Sequence, residues 1–238
     1  MQAGLARNTR KPDKPDKPDK PDKTAMNSQG VVLTALYPVL ATVAAYLLGS
    51  LSFAVIVTRL MGLSDPRTYG SKNPGATNVL RSGSPVAAVV TLLLDALKGW
   101  LPVALVLEFG RPHGLEDGCA ASVGLAAFVG HLWPVFFRFA GGKGAATALG
   151  VLLGISGWLG LATAVAWLVV ALVSRYSSLA SLVAAAFAPV CYLLMGGAAP
   201  MAAAMGAMAL LLAWRHRDNI RRLIAGKEAR LGGRKAVR

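Results

Sequence analysis

Carboxylates are scarce in this chain. It has 25 Lys and Arg against 11 Asp and Glu, and between Val31 and Trp214 the only acidic residues are Asp65, Asp95, Glu108, Glu116 and Asp117. That is too thin a supply for the aspartate cluster with which metal-dependent phosphotransferases hold their ions, so no metal site is expected. Cysteine is equally sparse: Cys119 and Cys191 both fall inside apolar runs with no ligand spacing around them, which excludes a disulfide framework and leaves two free thiols. Charge of either sign is low overall, at 15% of residues against 55% hydrophobic. With a mean hydropathy of +0.52, the composition excludes an ordinary soluble domain and predicts an integral membrane protein. The net charge of +14 is not a nucleic-acid footprint, because the basic residues are confined to the two tails and to short segments between apolar runs. Membrane lipid, and no nucleic acid, is the expected surrounding partner.

The opening segment stands apart. KPDKPDKPDKPDK, from Lys11 to Lys23, repeats every three residues with a proline in each unit and no apolar residue. Such a segment cannot bury a core, and residues 1–29 are expected to form a disordered tail. It does not resemble a secretory signal either, since the apolar run behind it is too long for a cleaved segment. Residues 30–214 are then the polytopic transmembrane part, and residues 215–238 a basic cytoplasmic C-terminal segment.

Apolar runs cover roughly Val31 to Met61, Pro85 to Leu107, Cys119 to Phe139, Ala145 to Val173, Leu179 to Met195 and Pro200 to Trp214. The run from 145 to 173 would be about 43 Å long as one helix, against a hydrocarbon core of about 30 Å. Gly154, Ser156 and Gly157 in its middle offer a turn. Loops rich in Lys and Arg prefer the cytoplasm, and four loops qualify: Arg59, Arg67, Lys72 and Arg81; Arg138 and Lys143; Arg175; and the closing basic set. Placing all four on one side requires this run to cross twice. The predicted fold is therefore an all-α membrane protein of seven transmembrane helices, N-terminus outside and C-terminus cytoplasmic, with six spans as the alternative.

Two polar strings interrupt the apolar chain, GSKNPGATNVLR (Gly70 to Arg81) and AGGKGAAT (Ala140 to Thr147), and seven spans bring both to the cytoplasmic face with SRYSSLAS and RHRDNIRR. Ser71, Asn73, Thr77 and Asn78 offer hydroxyls and amides, Arg81 a bidentate fork, and Lys143 a compact cation. Gly70, Gly75, Gly141, Gly142 and Gly144 let backbone approach a ligand. Such a site suits an oxygen-rich anion and has room for two phosphoryl groups. Taken singly, Arg81 and Lys143 read equally well as positive-inside anchors; the glycines and amides around them favour a site. The GGKG turn is not a P-loop, because Phe137 stands where the first glycine is needed and no Ser or Thr follows Lys143. Inside the second run, Asp95 and Lys98 at i, i+3 spacing are expected to pair. His131 reads as a packed histidine, and His216 and Asn219 share a helix face at the end of the last run.

GSKNPGATNVLR followed by DALKG, then GHLWPVFFRFAGGKGAATALGV, RYSSL and a closing HRDNIRRLIAGKE resembles the bacterial membrane glycerol-3-phosphate acyltransferases that use acyl phosphate, the PlsY family. The resemblance runs from about Tyr46 to Glu228 and rests on several motifs in the family's order. Lys72 departs from it, standing where the family often has glycine. It implies transfer of an acyl group from acyl phosphate to the 1-hydroxyl of sn-glycerol 3-phosphate, giving lysophosphatidic acid and inorganic phosphate at the bacterial inner membrane. By motif position, Ser71, Arg81 and Lys143 would be catalytic or substrate-binding, and His216 and Asn219 would contact the glycerol phosphate. No metal, CoA thioester or acyl carrier protein thioester is implied as cofactor or donor, and an upstream enzyme producing acyl phosphate is. The residues agree: none of His113, His131 and His216 has an aspartate five positions on, which excludes the His-x4-Asp acyltransferases. Ser71 has no adjacent His or Asp to mark it as an activated nucleophile.

Overall fold

The computed structural model describes residues 23–232. The Lys-Pro-Asp repeat, apart from its last residue, lies outside them. Helix α1 covers Lys23–Gly49 and α2 Phe53–Leu60. A single turn, α3 (Ala76–Val79), precedes α4 (Pro85–Phe109), α5 (Asp117–Leu132) and α6 (Ala145–Ile155). The chain closes with α7 (Gly157–Ser174), α8 (Ser177–Leu194), α9 (Ala199–Arg215) and α10 (Arg217–Ile224). All described elements are helical, as a chain in lipid requires when each segment must satisfy its own backbone. Among the described residues, four helices are long and apolar enough to cross a membrane, and a fifth crossing arises if α1 and α2, bent by 43° at their break, count as one.

The breaks have local causes. At the N-terminus of α4, Ser84 caps the helix by accepting from the Ala87 N–H at 3.2 Å, with Pro85 at the first helical position, where its missing N–H costs nothing. Ser156 interrupts the long apolar run as expected: it is extended, and its hydroxyl accepts from the Leu159 N–H at 3.4 Å to start α7. The chain reverses there. A Cβ placed on Gly160 would lie 2.8 Å from the Cα of Leu153, whereas seven residues of continuous helix would separate the two by about 10 Å. The two halves are unequal, however: α6 has 11 residues and α7 has 18, so only α6 is shorter than a normal span.

Lipid tails are as apolar as the helices, so helix pairs gain little from hydrophobicity alone and depend on close approach. Glycines supply it. An added Cβ on Gly49 would overlap the Ala127 carbonyl, and one on Gly130 the Tyr46 carbonyl, which sets α1 directly on α5. Gly99 and Gly150 do the same for α4 and α6, against the carbonyls of Thr147 and Ala96. Around these contacts lies a core of Ala120, Val123, Ala127, Phe128, Leu132 and Leu159, all fully buried, while Leu93, Leu172, Val173 and Leu194 stand exposed on the outer surface.

Candidate active site

The first polar string folds around one amide. The Asn78 side chain is buried; its Oδ1 accepts from the Ser71 N–H at 3.0 Å and from Arg81 at 3.3 Å, and its Nδ2 donates to the carbonyls of Pro66 at 2.6 Å and Tyr69 at 3.2 Å. All of its hydrogen-bonding capacity therefore organises the loop. Gly70, at φ +60°, sits where a Cβ would overlap Asn78 and crowd Arg81. Ser71, Thr77 and Arg81 stay exposed, with Asn73 half-buried beside Gly75. Lys72 has φ +56°, in the left-handed region that favours glycine, which is a physical reason for glycine at this position. The loop is braced by Asp65 and Arg67, 2.6 Å apart. The hydrogen bond from Arg67 holds the Asp65 carboxyl below its ordinary range.

The second string meets the first where a Cβ on Gly142 would lie 2.9 Å from the Pro74 carbonyl. Gly144, at φ +84°, packs against Phe128 and opens α6. Lys143 emerges from this turn, and its Nζ donates to Asn219 Oδ1 at 2.5 Å. Asn219 Nδ2 passes the contact on to Glu228 Oε1 at 2.5 Å. The same carboxylate accepts from Ser178 Oγ at 2.8 Å and from Arg222 Nε at 2.7 Å. Glu228 thus gathers α8, α10 and the closing segment into one polar cluster. Burial pushes its pKa up, and the hydrogen bonds from Asn219, Ser178 and Arg222 outweigh this and leave it below the usual carboxylate range.

His216, at the junction of α9 and α10, is 3% exposed. Its Nδ1 lies 2.9 Å from the Leu212 carbonyl. A carbonyl only accepts, so Nδ1 carries the proton and Nε2 offers a lone pair. Burial, reinforced by the charge of Lys143, lowers His216 to about 4, so it is neutral at physiological pH. Burial likewise lowers Lys143 to about 8; Glu228 opposes the shift, while Arg222, Arg81 and Arg215 add to it. The charge of Arg81 therefore reaches Lys143. Among the described residues no group of three or more His, Cys, Asp or Glu converges.

A pH dependence follows. Only the ammonium form of Lys143 attracts an anion, and that form is lost as pH rises through about 8. The alkaline limb of kcat/KM should fall there, because kcat/KM reports groups of the free enzyme. Lys143→Arg, which does not titrate in this range, should move that limb to higher pH. A profile over about pH 6 to 10 that is the same in both proteins would show that another group sets it.

Beneath the site, α4 carries the expected pair: Lys98 Nζ lies 2.8 Å from Asp95 Oδ1 and also donates to the Leu51 carbonyl at 2.6 Å. That carbonyl lies in the break between α1 and α2. His131 Nδ1 stands 3.6 Å from Asp95 and 3.1 Å from Thr147 Oγ1, so the histidine is buried within a polar chain rather than merely packed among apolar groups. Sequence reasoning singled out neither Glu228, Ser178, Arg222 nor Thr147. Their only sequence signal is membership of polar strings at the same predicted face.

A bundle of membrane helices, closed at one end by two glycine-rich strings and a cluster of fixed cations, defines the class: a membrane enzyme for an anionic substrate. Residues 39–226 match the family described as Glycerol-3-phosphate acyltransferase. A glycerol-3-phosphate acyltransferase of Albidiferax ferrireducens is 63% identical over 205 residues, covering 84% of this chain and 92% of the relative. One from Ralstonia nicotianae is 59% identical over 202 residues, covering 85% and 98%. Among solved structures, the glycerol 3-phosphate form of PlsY, an integral membrane glycerol 3-phosphate acyltransferase, superposes with a TM-score of 0.77 at 38% identity, over 82% of this chain and 96% of that one. Its lysophosphatidic acid form gives 0.76 at 37%, over 82% and 95%. The chain belongs to the PlsY family of glycerol-3-phosphate acyltransferases, integral membrane enzymes of phospholipid synthesis.

Proposed function

We propose that this enzyme takes acyl phosphate as its donor and acylates the 1-hydroxyl of sn-glycerol 3-phosphate, forming lysophosphatidic acid and inorganic phosphate. The observation that carries this reading is the convergence of Lys143, Asn219 and a neutral His216, with the charge of Arg81 acting on Lys143, at the turn where the two polar strings meet. Lys143 and Arg81 hold phosphoryl oxygens, and Gly141, Gly142 and Gly144 keep the turn open to them. The His216 Nε2 lone pair accepts from a glycerol hydroxyl. Ser71 hydrogen-bonds the acyl phosphate, with Gly70, Asn73, Gly75, Thr77 and Asn78 shaping its loop.

The glycerol oxygen attacks the acyl carbon directly. Its new ester bond forms as the bond from acyl carbon to phosphate oxygen breaks, and the departing phosphate takes the hydroxyl proton. Two observations support this over an acyl-enzyme. Among the described residues no hydrogen bond links the Ser71 hydroxyl to an imidazole or carboxylate, and His216 at about 4 is a weak base. An acyl phosphate is already activated, so orientation and charge stabilisation carry the chemistry. The acyl chain runs between helices into the bilayer, each buried CH₂ contributing about 0.8 kcal/mol.

The reversal at Ser156 supports seven crossings, made by α1 with α2, α4, α5, α6, α7, α8 and α9. The site then lies at the cytoplasmic face of the bacterial inner membrane, with the N-terminal tail outside and the basic segment 215–238 inside. An enzyme making acyl phosphate must work upstream. Purified protein given glycerol 3-phosphate with palmitoyl phosphate, without added metal, should release phosphate and lysophosphatidic acid in equal amounts, and palmitoyl-CoA should not replace the donor. Turnover with the thioester alone would overturn the donor assignment.

A further inference from the structure

Arg215 is the last residue of α9, and its guanidinium reaches the turn that precedes α6. Nε donates to the Gly142 carbonyl at 3.0 Å and an Nη donates to the Gly141 carbonyl at 2.6 Å. One planar fork therefore holds two consecutive peptide carbonyls. On the other side of the turn, the Gly142 N–H donates to the His131 carbonyl at 3.1 Å. The His131 ring lies against Gly142 so closely that an added Cβ would overlap it. The turn is gripped between α9 and α5, and Lys143 leaves it at the next residue. Both glycines are buried, so without Arg215 two acceptors would stand unpaired beside an anion site, costly in themselves and repulsive to a phosphate. A lysine keeps the charge but lacks the rigid fork that spans both carbonyls.

We propose that Arg215 is a positioning residue for glycerol 3-phosphate: by holding the Gly141 and Gly142 carbonyls it sets where the Lys143 ammonium stands. The inference rests on the reading of Lys143 as a phosphate ligand. The charged and titratable groups facing Lys143 are Glu228 from the closing segment, Arg222 from α10, Arg81 from the first string, Arg215 from α9 and His216 at the α9–α10 junction.

The test compares Arg215→Lys, Arg215→Gln and Lys143→Ala in the full-length protein in detergent, following KM and kcat for glycerol 3-phosphate, the alkaline limb of kcat/KM and the thermal midpoint. Both Arg215 variants should raise KM about tenfold or more, the scale of one charge-assisted hydrogen bond. Arg215→Gln removes a cation facing Lys143 and should shift the alkaline limb to higher pH, whereas Arg215→Lys should leave the limb in place. A purely structural residue would lower the midpoint or the folded fraction and move neither KM nor the limb, and that result overturns the proposal. If Arg215→Gln does not fold, Arg215→Lys decides through KM. A raised KM in Lys143→Ala with unchanged KM in the Arg215 variants overturns the role of Arg215 alone; an unchanged KM in Lys143→Ala overturns the phosphate-site reading and the proposal with it.

Discussion

Lys143→Ala should lower kcat/KM for glycerol 3-phosphate by about a hundred- to a thousandfold, the usual loss when one preorganised charge-stabilising donor is removed. The site is built to present this ammonium. Asn219 holds it at 2.5 Å, and Asn219 is itself held by Glu228. Arg81, Arg215 and Arg222 surround it with like charge, which together with burial makes the protonated form less favourable in the empty site. A phosphate dianion placed here would relieve that repulsion, so the interaction would be worth more than at an open surface. The same shift fixes the sign of the effect on stability. The folded pKa of Lys143 lies below the ordinary lysine value of 10.5, so the charged side chain costs the fold stability, in full below about 8 and progressively less as pH rises toward 10.5. The alanine variant should therefore melt no lower than the parent at pH 7 while losing nearly all activity. Steady-state kinetics beside a thermal midpoint checks both parts. An inactive variant with a markedly lower midpoint would mean that Lys143 holds the fold rather than the substrate.

The bundle was legible in the sequence where polar or glycine-rich residues at a helix boundary were joined by a second signal. Gly154, Ser156 and Gly157, together with a run too long for one crossing, marked the reversal between α6 and α7 because composition and length pointed the same way. The break between α1 and α2 carries similar signals, Gly49, Ser50 and Ser52 inside the run from Val31 to Met61, but no basic loop called for a second crossing there. The carbonyl exposed in it is satisfied by Lys98 from another helix, a partner 47 residues away that no local pattern announces. The site divides similarly. Its two strings were visible because glycine, amide and cation together are conspicuous among apolar residues. Glu228 and Ser178 are 50 residues apart and Arg215 and Gly141 are 74 apart, so their roles exist only once the helices are packed. Asn78 shows a further limit. An amide in a polar string reads as a ligand contact, but which way it points depends on the turn around it, and here its bonds are to its own loop.

Asp95→Leu is expected to be the most destabilising single change in the transmembrane part, costing about 3–5 kcal/mol by leaving a buried ammonium without its counter-charge. Asp95 and Lys98 are each 2% exposed, and water is not at hand to replace the lost partner. Lys98 would keep only the neutral Leu51 carbonyl. Lys98→Met should cost less, because the orphaned carboxylate retains the His131 ring at 3.6 Å as a polar neighbour. The double variant should recover part of the Asp95→Leu loss, since no buried charge is then uncompensated. It should not recover all of it, because the Leu51 carbonyl in the break between α1 and α2 loses its donor, worth about 1–3 kcal/mol. Thermal midpoints of the parent, the two single variants and the double variant form the cycle, with the largest drop about 10 °C. Equal losses in both single variants with strict additivity in the double would show that the two residues contribute separately, and that the network beneath the site is a packing feature rather than an ion pair holding the break in place.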